Sequence, residues 1–145
     1  MSKTIKYTVS DFDKGFDFIP KEGKIFISLP MSGFDEDHIR KRMNNIFNLL
    51  IDASNRDDFA LIDNYTKTFP NIIGEDRISA WIIGTDIKLL ATADLAIFSD
   101  DYWRSRGCLT EYYICNEYSI PYCFESHLSL FTKPHNTGGI WNGWI

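Results

Sequence analysis

The residue whose type and position most directly indicate chemistry is Glu111, in the stretch Asp101-Tyr-Trp-Arg-Ser-Arg-Gly-Cys-Leu-Thr-Glu111. An apolar run, 93–98, precedes this stretch, and an apolar-periodic segment, 108–118, contains the glutamate, which predicts a strand, a polar loop and a helix. The first N–H groups of a helix carry partial positive charge, so we expect a carboxylate near the helix start to stay ionised. An ionised, positioned carboxylate is a candidate nucleophile. The alternative is a glutamate that only complements the helix dipole.

Serine and glycine residues cluster in two loops that a parallel sheet would bring together. Loop 28–33, Ser-Leu-Pro-Met-Ser-Gly, follows the first apolar run, and loop 99–107 precedes the helix of Glu111. In an open α/β sheet, ligands bind above the carboxyl ends of the strands where the strand order reverses. We therefore expect both loops to flank one crevice, with Glu111 at its base. The irregular segment 64–77 is long enough to be a lid or substrate loop.

The elements that must position these loops are four short apolar runs alternating with segments of helical periodicity. The alternation predicts a single-domain α/β fold of the flavodoxin-like or Rossmann-like type, three layers thick, with a parallel sheet in the order 2-1-3-4. We expect the domain to span 24–125, between an N-terminal extension (1–23) and a C-terminal tail (126–145) that packs on the domain or a neighbouring subunit. The predicted strands are 24–28, 59–62, 94–98 and 120–124, and the predicted helices are 35–54, 79–91 and 108–118.

The charge and composition of the chain limit the kinds of molecule that we expect it to bind. The 145 residues carry a net charge of −5, which argues against binding to nucleic-acid polymers or anionic membranes. The compact basic run 40–42, Arg-Lys-Arg, lies in a predicted helix and is interpreted as its solvated face. The sequence has no apolar stretch of membrane-spanning length and no apolar signal-peptide core, so we expect a cytoplasmic protein that acts on a small molecule.

The three cysteines are odd in number and lack metal-ligand spacing, so we expect free thiols in a reducing compartment, with no metal and no cofactor. Cys108 lies near a helix start, where the pKa of a thiol falls, and a cysteine nucleophile is an alternative to the glutamate. A cysteine nucleophile needs a histidine partner, and the spacing of the histidines does not indicate one. A small buried residue is the other interpretation of Cys108.

Three ordered motifs resemble the nucleoside 2-deoxyribosyltransferase-like superfamily, in particular a branch of small, often phage- or prophage-encoded members. The likeness covers roughly residues 24–124. The Ser-x-Gly-x-x-x-Glu element and the spacing of the aspartate before the third strand are the more specific parts. The motifs are Ile27-Ser-Leu-Pro-Met-Ser-Gly33, Gly84-Thr-Asp86-Ile-Lys-Leu-Leu-x-x-x-Asp94 and Trp103-Arg-Ser105-Arg-Gly107-Cys-x-x-Glu111.

The resemblance implies that Glu111 attacks C1′ of a 2′-deoxynucleoside or its 5′-monophosphate and displaces the base. Water or another base then resolves the glycosyl-enzyme. Asp86 is implied to orient the nucleophile or to handle the proton of the leaving base, as a second acid does in retaining glycosidases. The alternative for Asp86 is a helix-surface residue paired with Lys88 or Arg77.

The resemblance also indicates which residues contact the substrate. Ser105 and Gly107 occupy positions that touch the 5′-phosphate in the family's monophosphate hydrolases, and Trp103 either stacks on the base or anchors its loop. The full set of expected substrate-binding residues is Ser28, Pro30, Met31, Ser32, Gly33, Asp63, Trp103, Ser105 and Gly107.

Two features of the sequence leave the activity open. Pro30-Met31 replaces a more polar, glycine-rich turn of the hydrolases, and the transferases borrow a tail residue from a neighbouring subunit, for which Asn136 and Asn142 are candidates in a homo-oligomer. We favour hydrolysis of a monophosphate over base exchange because Ser105 and Gly107 are both present. The rival class is a non-catalytic sensor or sponge for a nucleotide derivative that uses the same crevice.

Overall fold

The computed structural model describes residues 15–130, and within this range the chain alternates strands and helices. The strands are β1 (Lys24–Ser28), β2 (Ala60–Leu61), β3 (Leu95–Phe98) and β4 (Tyr122–Phe124). The α-helices are α1 (Glu36–Ser54), α2 (Glu75–Leu90), α3 (Arg106–Glu117) and the short α4 (Glu125–Ser129), with a 3₁₀ turn at Tyr102–Arg104.

The four strands form one all-parallel sheet in the order β2-β1-β3-β4, as predicted. β1 pairs with β3 from Ile25 opposite Leu95 to Ser28 opposite Phe98. These two strands therefore end side by side at the centre of the sheet. The loops that follow them lie at the same edge, which is where the sequence predicts the crevice.

Alternate residues of the central strands face two separate hydrophobic cores. Ile25 and Ile27 pack against α1, whereas Phe26 between them packs with Leu90 of α2 and Cys115 of α3. A strand covered on both faces is apolar at every position, and this accounts for the continuous apolar run at 24–28. The three-layer α/β/α arrangement is thus confirmed.

Local capping sets the starts of the two helices that flank the crevice. The Asp35 side chain accepts a hydrogen bond of 2.9 Å from the N–H of His38 and begins α1. The Ser105 side chain does the same for α3, accepting from the N–H of Cys108 at 3.2 Å. Each cap satisfies one N–H that has no partner inside the helix.

The predicted elements differ most from the structure at β2, α2 and α4; β4 is also three residues long rather than five, and α3 begins at Arg106 rather than 108. β2 is two residues long rather than four, α2 begins at Glu75 rather than 79, and α4 was not predicted. β2 is at the sheet edge, where only Lys24 and Ile25 of β1 pair with it.

The described part of the N-terminal extension packs on the α1 face. Phe16 and Ile19 join that core, and the guanidinium of Arg56 donates to the carbonyl oxygens of both at 2.8 and 2.9 Å. Leu128, at the start of the predicted tail, is also buried there. The rest of the extension (1–14) and of the tail (131–145), including Asn136 and Asn142, lies outside the described residues. Between 15 and 130, no helix is long and apolar enough to cross a membrane.

Candidate functional site

A cleft of about 690 Å³ opens above the carboxyl ends of the central strands. The loop after β1, the start of α3 and one side of α2 line it, as does the turn after β2. Polar and charged side chains make up about half of its lining, and apolar residues and a glycine make up the rest.

Glu111 lies in the wall of the cleft and is held by a single short hydrogen bond. Its side chain is buried, with 4% exposed, and the hydroxyl of Ser28 donates to its Oε1 at 2.6 Å. Ser28 is the last residue of β1, so the central strand itself fixes the carboxyl group of α3. The bond to Oε1 leaves Oε2 as the oxygen available to a ligand.

The structure does not support the expectation that Glu111 stays ionised near the helix start. Burial raises the pKa of Glu111 to about 8, and the nearby Asp86 raises it further, against the lowering effect of the bond from Ser28. Glu111 is the sixth residue of α3, whereas the charge effect of a helix terminus fades within the first turn. Desolvation of the charged form therefore outweighs the helix dipole.

Asp86 lies on α2 and faces the same cleft. It is 7% exposed, its Oδ1 has no hydrogen-bond partner among the described residues, and burial raises its pKa to about 7. None of the ion pairs formed within 15–130 involves Asp86, so the predicted alternative, a surface pair with Lys88 or Arg77, is not observed. Two buried acids, neither of them in an ion pair within the described range, thus share one cleft.

Cys108 also lines the cleft, but its environment opposes a role as nucleophile. Burial raises the pKa of its thiol to about 11, so the reactive thiolate is scarce at neutral pH. All three cysteines are free and buried. No group of three or more potential metal ligands occurs in the described range.

The structure brings together some of the predicted binding residues and separates others. Ser105 and Gly107 line the cleft opposite the first loop, and Ser28 lies beneath it against Glu111. Gly33 is exposed beyond the lining, with a positive φ of 88° that favours glycine. The first-loop residues that line the cleft are Leu29, Pro30, Met31 and Ser32.

Asp63 and Trp103 are, like Gly33, predicted binding residues that the structure does not place in the lining of the cleft. Asp63 is turned outward and pairs with Arg40 at 3.2 Å. Trp103 is 62% exposed, and its ring contacts the guanidinium of Arg104 at 5.5 Å from the centroid. In this conformation neither side chain forms part of the wall, so base stacking on Trp103 is not supported.

Sequence reasoning missed Asn64, the neighbour of Asp63. Asn64 lines the cleft, is 2% exposed, and donates from Nδ2 to the carbonyl oxygen of Ile27 at 2.9 Å, while its Oδ1 has no partner among residues 15–130. The only signal in the sequence was its position just after a strand. Arg104 and Arg106, on either side of Ser105, were also missed and line the cleft.

No protein family, curated protein or solved structure matches the chain in comparisons with known proteins.

Proposed function

We propose that this protein cleaves the N-glycosidic bond of a 2′-deoxynucleoside or its 5′-monophosphate, with Glu111 as nucleophile and hydrolysis favoured over base transfer. The observation that carries the proposal is the pair of buried acids, Glu111 and Asp86, which line one cleft and form no ion pair within the described residues. Keeping two such acids is costly to the fold, and paired acids with separated protonation states are the requirement for breaking a glycosidic bond.

In the first step Glu111 acts as the nucleophile and Asp86 as the general acid. Because the pKa of Glu111, about 8, lies above that of Asp86, about 7, a single proton shared by the pair resides mainly on Glu111. The productive form is the minor one, with this proton on Asp86. Oε2 of Glu111 forms a bond to C1′ as the C1′–N bond breaks. The electron pair of that bond goes to the base, which takes the proton from Asp86. The positive charge that develops at C1′ stabilises the ionised form of Glu111.

In the second step the sugar ester on Glu111 is hydrolysed. A water molecule attacks C1′, gives its proton to the Asp86 carboxylate and releases Glu111 as the leaving carboxylate. The hydroxyl of Ser28 donates to Oε1 through both steps. This hydrogen bond is stronger whenever Glu111 is charged, because a carboxylate is a better acceptor than a neutral acid or ester. Another base in place of water gives the exchange reaction of the transferases that the chain resembles.

Three features at the start of α3 support a 5′-monophosphate as the substrate. Ser105 caps the helix, Gly107 permits close approach, and Arg104 and Arg106 line the same side of the cleft. Arg106 is paired only with the exposed Asp76, at 3.1 Å. Helix N–H groups and guanidinium groups are both suited to a phosphate dianion.

We expect Ser105→Ala to lower kcat/KM for the monophosphate by roughly tenfold to a hundredfold, the effect of losing one hydrogen bond to a charged group. The value for the nucleoside should change much less. Steady-state release of base from both substrates measures the difference. Because the substitution also removes the cap of α3, Ser105→Thr serves as the matched control that keeps both hydroxyl functions. An equal loss on both substrates would reject the phosphate assignment.

A sensor that binds a nucleotide derivative without chemistry is the second candidate, and the raised pKa of Glu111 is the observation that favours it. A neutral acid is a hydrogen-bonding group rather than a nucleophile. The experiment that decides is incubation with each deoxynucleoside and deoxynucleoside monophosphate, followed by chromatography for free base and by calorimetry for binding. Release of base supports the enzyme, and tight binding with no release supports the sensor.

A further inference from the structure

The arginines at 40 and 42, predicted as part of a solvated helix face, are both engaged with loops around the cleft. They lie two residues apart on α1, so their side chains leave the helix in different directions. Each contacts the loop at the end of a different strand. Lys41 between them is exposed, as predicted for the whole run.

Arg42 holds the loop between β3 and α3. Its Nη1 donates to both carboxylate oxygens of Asp101, at 3.3 and 3.2 Å, and its Nη2 lies 3.7 Å from Oε1 of Glu125. The hydroxyl of Ser99 donates to the same Asp101 at 2.8 Å. Asp101 lines the cleft and precedes the Arg104–Gly107 segment, so this cluster fixes the wall proposed to bind phosphate.

Arg40 holds the turn after β2. Its guanidinium donates to both oxygens of Asp63, at 3.2 and 3.4 Å, and its Nε donates to Glu36 at 2.7 Å. It also lies over the ring of Tyr65, 5.4 Å from the centroid. Asn64, between Asp63 and Tyr65, is thereby fixed from both sides in the opposite wall.

Each arginine contacts two acidic side chains. Arg40 reaches Asp63 through two nitrogens, which sets direction as well as distance, whereas Arg42 directs Nη1 to Asp101 and Nη2 towards Glu125. The Arg42–Asp101 pair is partly buried, with 26% and 32% of the two side chains exposed, whereas the Asp63 side chain is 62% exposed, so solvent screens the Arg40 pair more strongly. Each loop has one aromatic anchor packed on a core, Tyr102 in the first and Tyr65 in the second, and the remaining side chains are mostly polar. The arginine contacts fix this polar part of each wall.

We propose that Arg40 and Arg42 are positioning residues, each of which holds one wall of the cleft independently of the other. Arg42 sets the wall at Asp101–Gly107, and Arg40 sets the wall at Asp63–Thr66. The assignment of a phosphate to the Arg42 wall rests on the proposed function, whereas the bracing itself does not.

Hydrogen exchange in the full chain without ligand tests the bracing. We expect Arg42→Gln to speed exchange at 99–107 by roughly fivefold or more while 63–66 is unchanged, the loss of one partly buried ion pair being the cause. Arg40→Gln should do the reverse, and the matched control Lys41→Gln should change neither segment. Equal effects of both arginine variants on both segments, or no effect beyond that of Lys41→Gln, would overturn the proposal.

Ligand binding tests what each wall recognises. In a Glu111→Gln background, where turnover does not interfere, calorimetry is carried out with 2′-deoxynucleosides and their 5′-monophosphates. We expect Arg42→Gln to weaken the monophosphate about tenfold more than the nucleoside, and Arg40→Gln to weaken both alike. Arg42→Lys keeps the charge but cannot direct two separate nitrogens to Asp101 and Glu125, so full retention of affinity in that variant would reject positioning in favour of simple charge attraction. If no nucleotide or nucleoside binds, the proposed function fails, and the exchange result still decides the bracing.

Discussion

Glu111→Gln is expected to abolish release of base, with kcat/KM falling by on the order of 10³-fold or more, as when other enzymes lose a covalent nucleophile. The amide keeps the size of the side chain, and its carbonyl oxygen can still accept from Ser28, so the cleft should keep its shape. What is lost is the oxygen that bonds to C1′. Chromatography of free base from the substrate with the highest turnover measures the effect.

Glu117→Gln is the matched control, because Glu117 lies on the same helix but is exposed. It should release base at the parent rate. Ligand affinity should survive in Glu111→Gln, which separates loss of chemistry from loss of binding. Residual turnover within tenfold of the parent would exclude Glu111 as nucleophile.

The second large effect is on the free energy of unfolding. Glu111→Gln and Asp86→Asn should each stabilise the fold at alkaline pH, although Glu111→Gln abolishes activity. The folded-state pKa of Glu111 is about 8 against an ordinary 4.5, and that of Asp86 is about 7 against 3.8. From about pH 4 upward the unfolded chain releases these protons and the folded chain retains them. The contribution of these two acids to the free energy of unfolding is therefore most favourable below their ordinary pKa values. It is lost as pH rises through the folded-state pKa values.

Urea unfolding at pH 5 and pH 8.5 measures this contribution. Each substitution should raise the free energy of unfolding by on the order of 3 kcal/mol more at the higher pH than at the lower, since one pKa unit corresponds to about 1.4 kcal/mol. Glu117→Gln should show no such dependence. A gain of the same size at both pH values would mean that Glu111 and Asp86 do not retain protons on folding.

Together, these two predictions mean that the buried acids lower the stability of the fold and that activity depends on them. The cleft keeps two acids where burial disfavours their charged forms, although neutral amides of the same shape would fit. A purely structural role gives no reason to keep them. A role in catalysis does, because a proton can then reside on one acid while the other attacks.

The central strands and helices were predictable because the spacing of apolar residues indicates which side chains are buried. Ile25, Phe26 and Ile27 form a continuous apolar run since β1 is covered on both faces, and the predicted bounds of β1, Lys24–Ser28, are confirmed. Glu75, Asp76 and Arg77 at the start of α2 are all exposed, so they carry no apolar periodicity, and the helix start was placed four residues too late. β2 is short because pairing at a sheet edge depends on the neighbour rather than on the strand's own composition.

The location of the site could be predicted from the sequence, but the raised pKa of Glu111 and the identity of some lining residues could not. Strand order alone brings Glu111 and Ser28 to one edge, yet their contact and the burial that raises the pKa of Glu111 are products of tertiary packing. Asp63 and Asn64 are adjacent in the chain, and the turn geometry decides which of them faces the cleft. Local sequence contains no signal for that choice.

The most direct test of the central claim is to trap the sugar on the enzyme. A 2′-deoxy-2′-fluoroarabinosyl nucleoside with a good leaving base is suited to this, because the fluorine disfavours the positively charged transition state and slows hydrolysis of the ester. Intact-protein and peptide mass spectrometry after rapid acid quench should show one sugar on the peptide containing Glu111, and none in Glu111→Gln. Release of base with the sugar on another residue, or with no ester formed, would contradict the account.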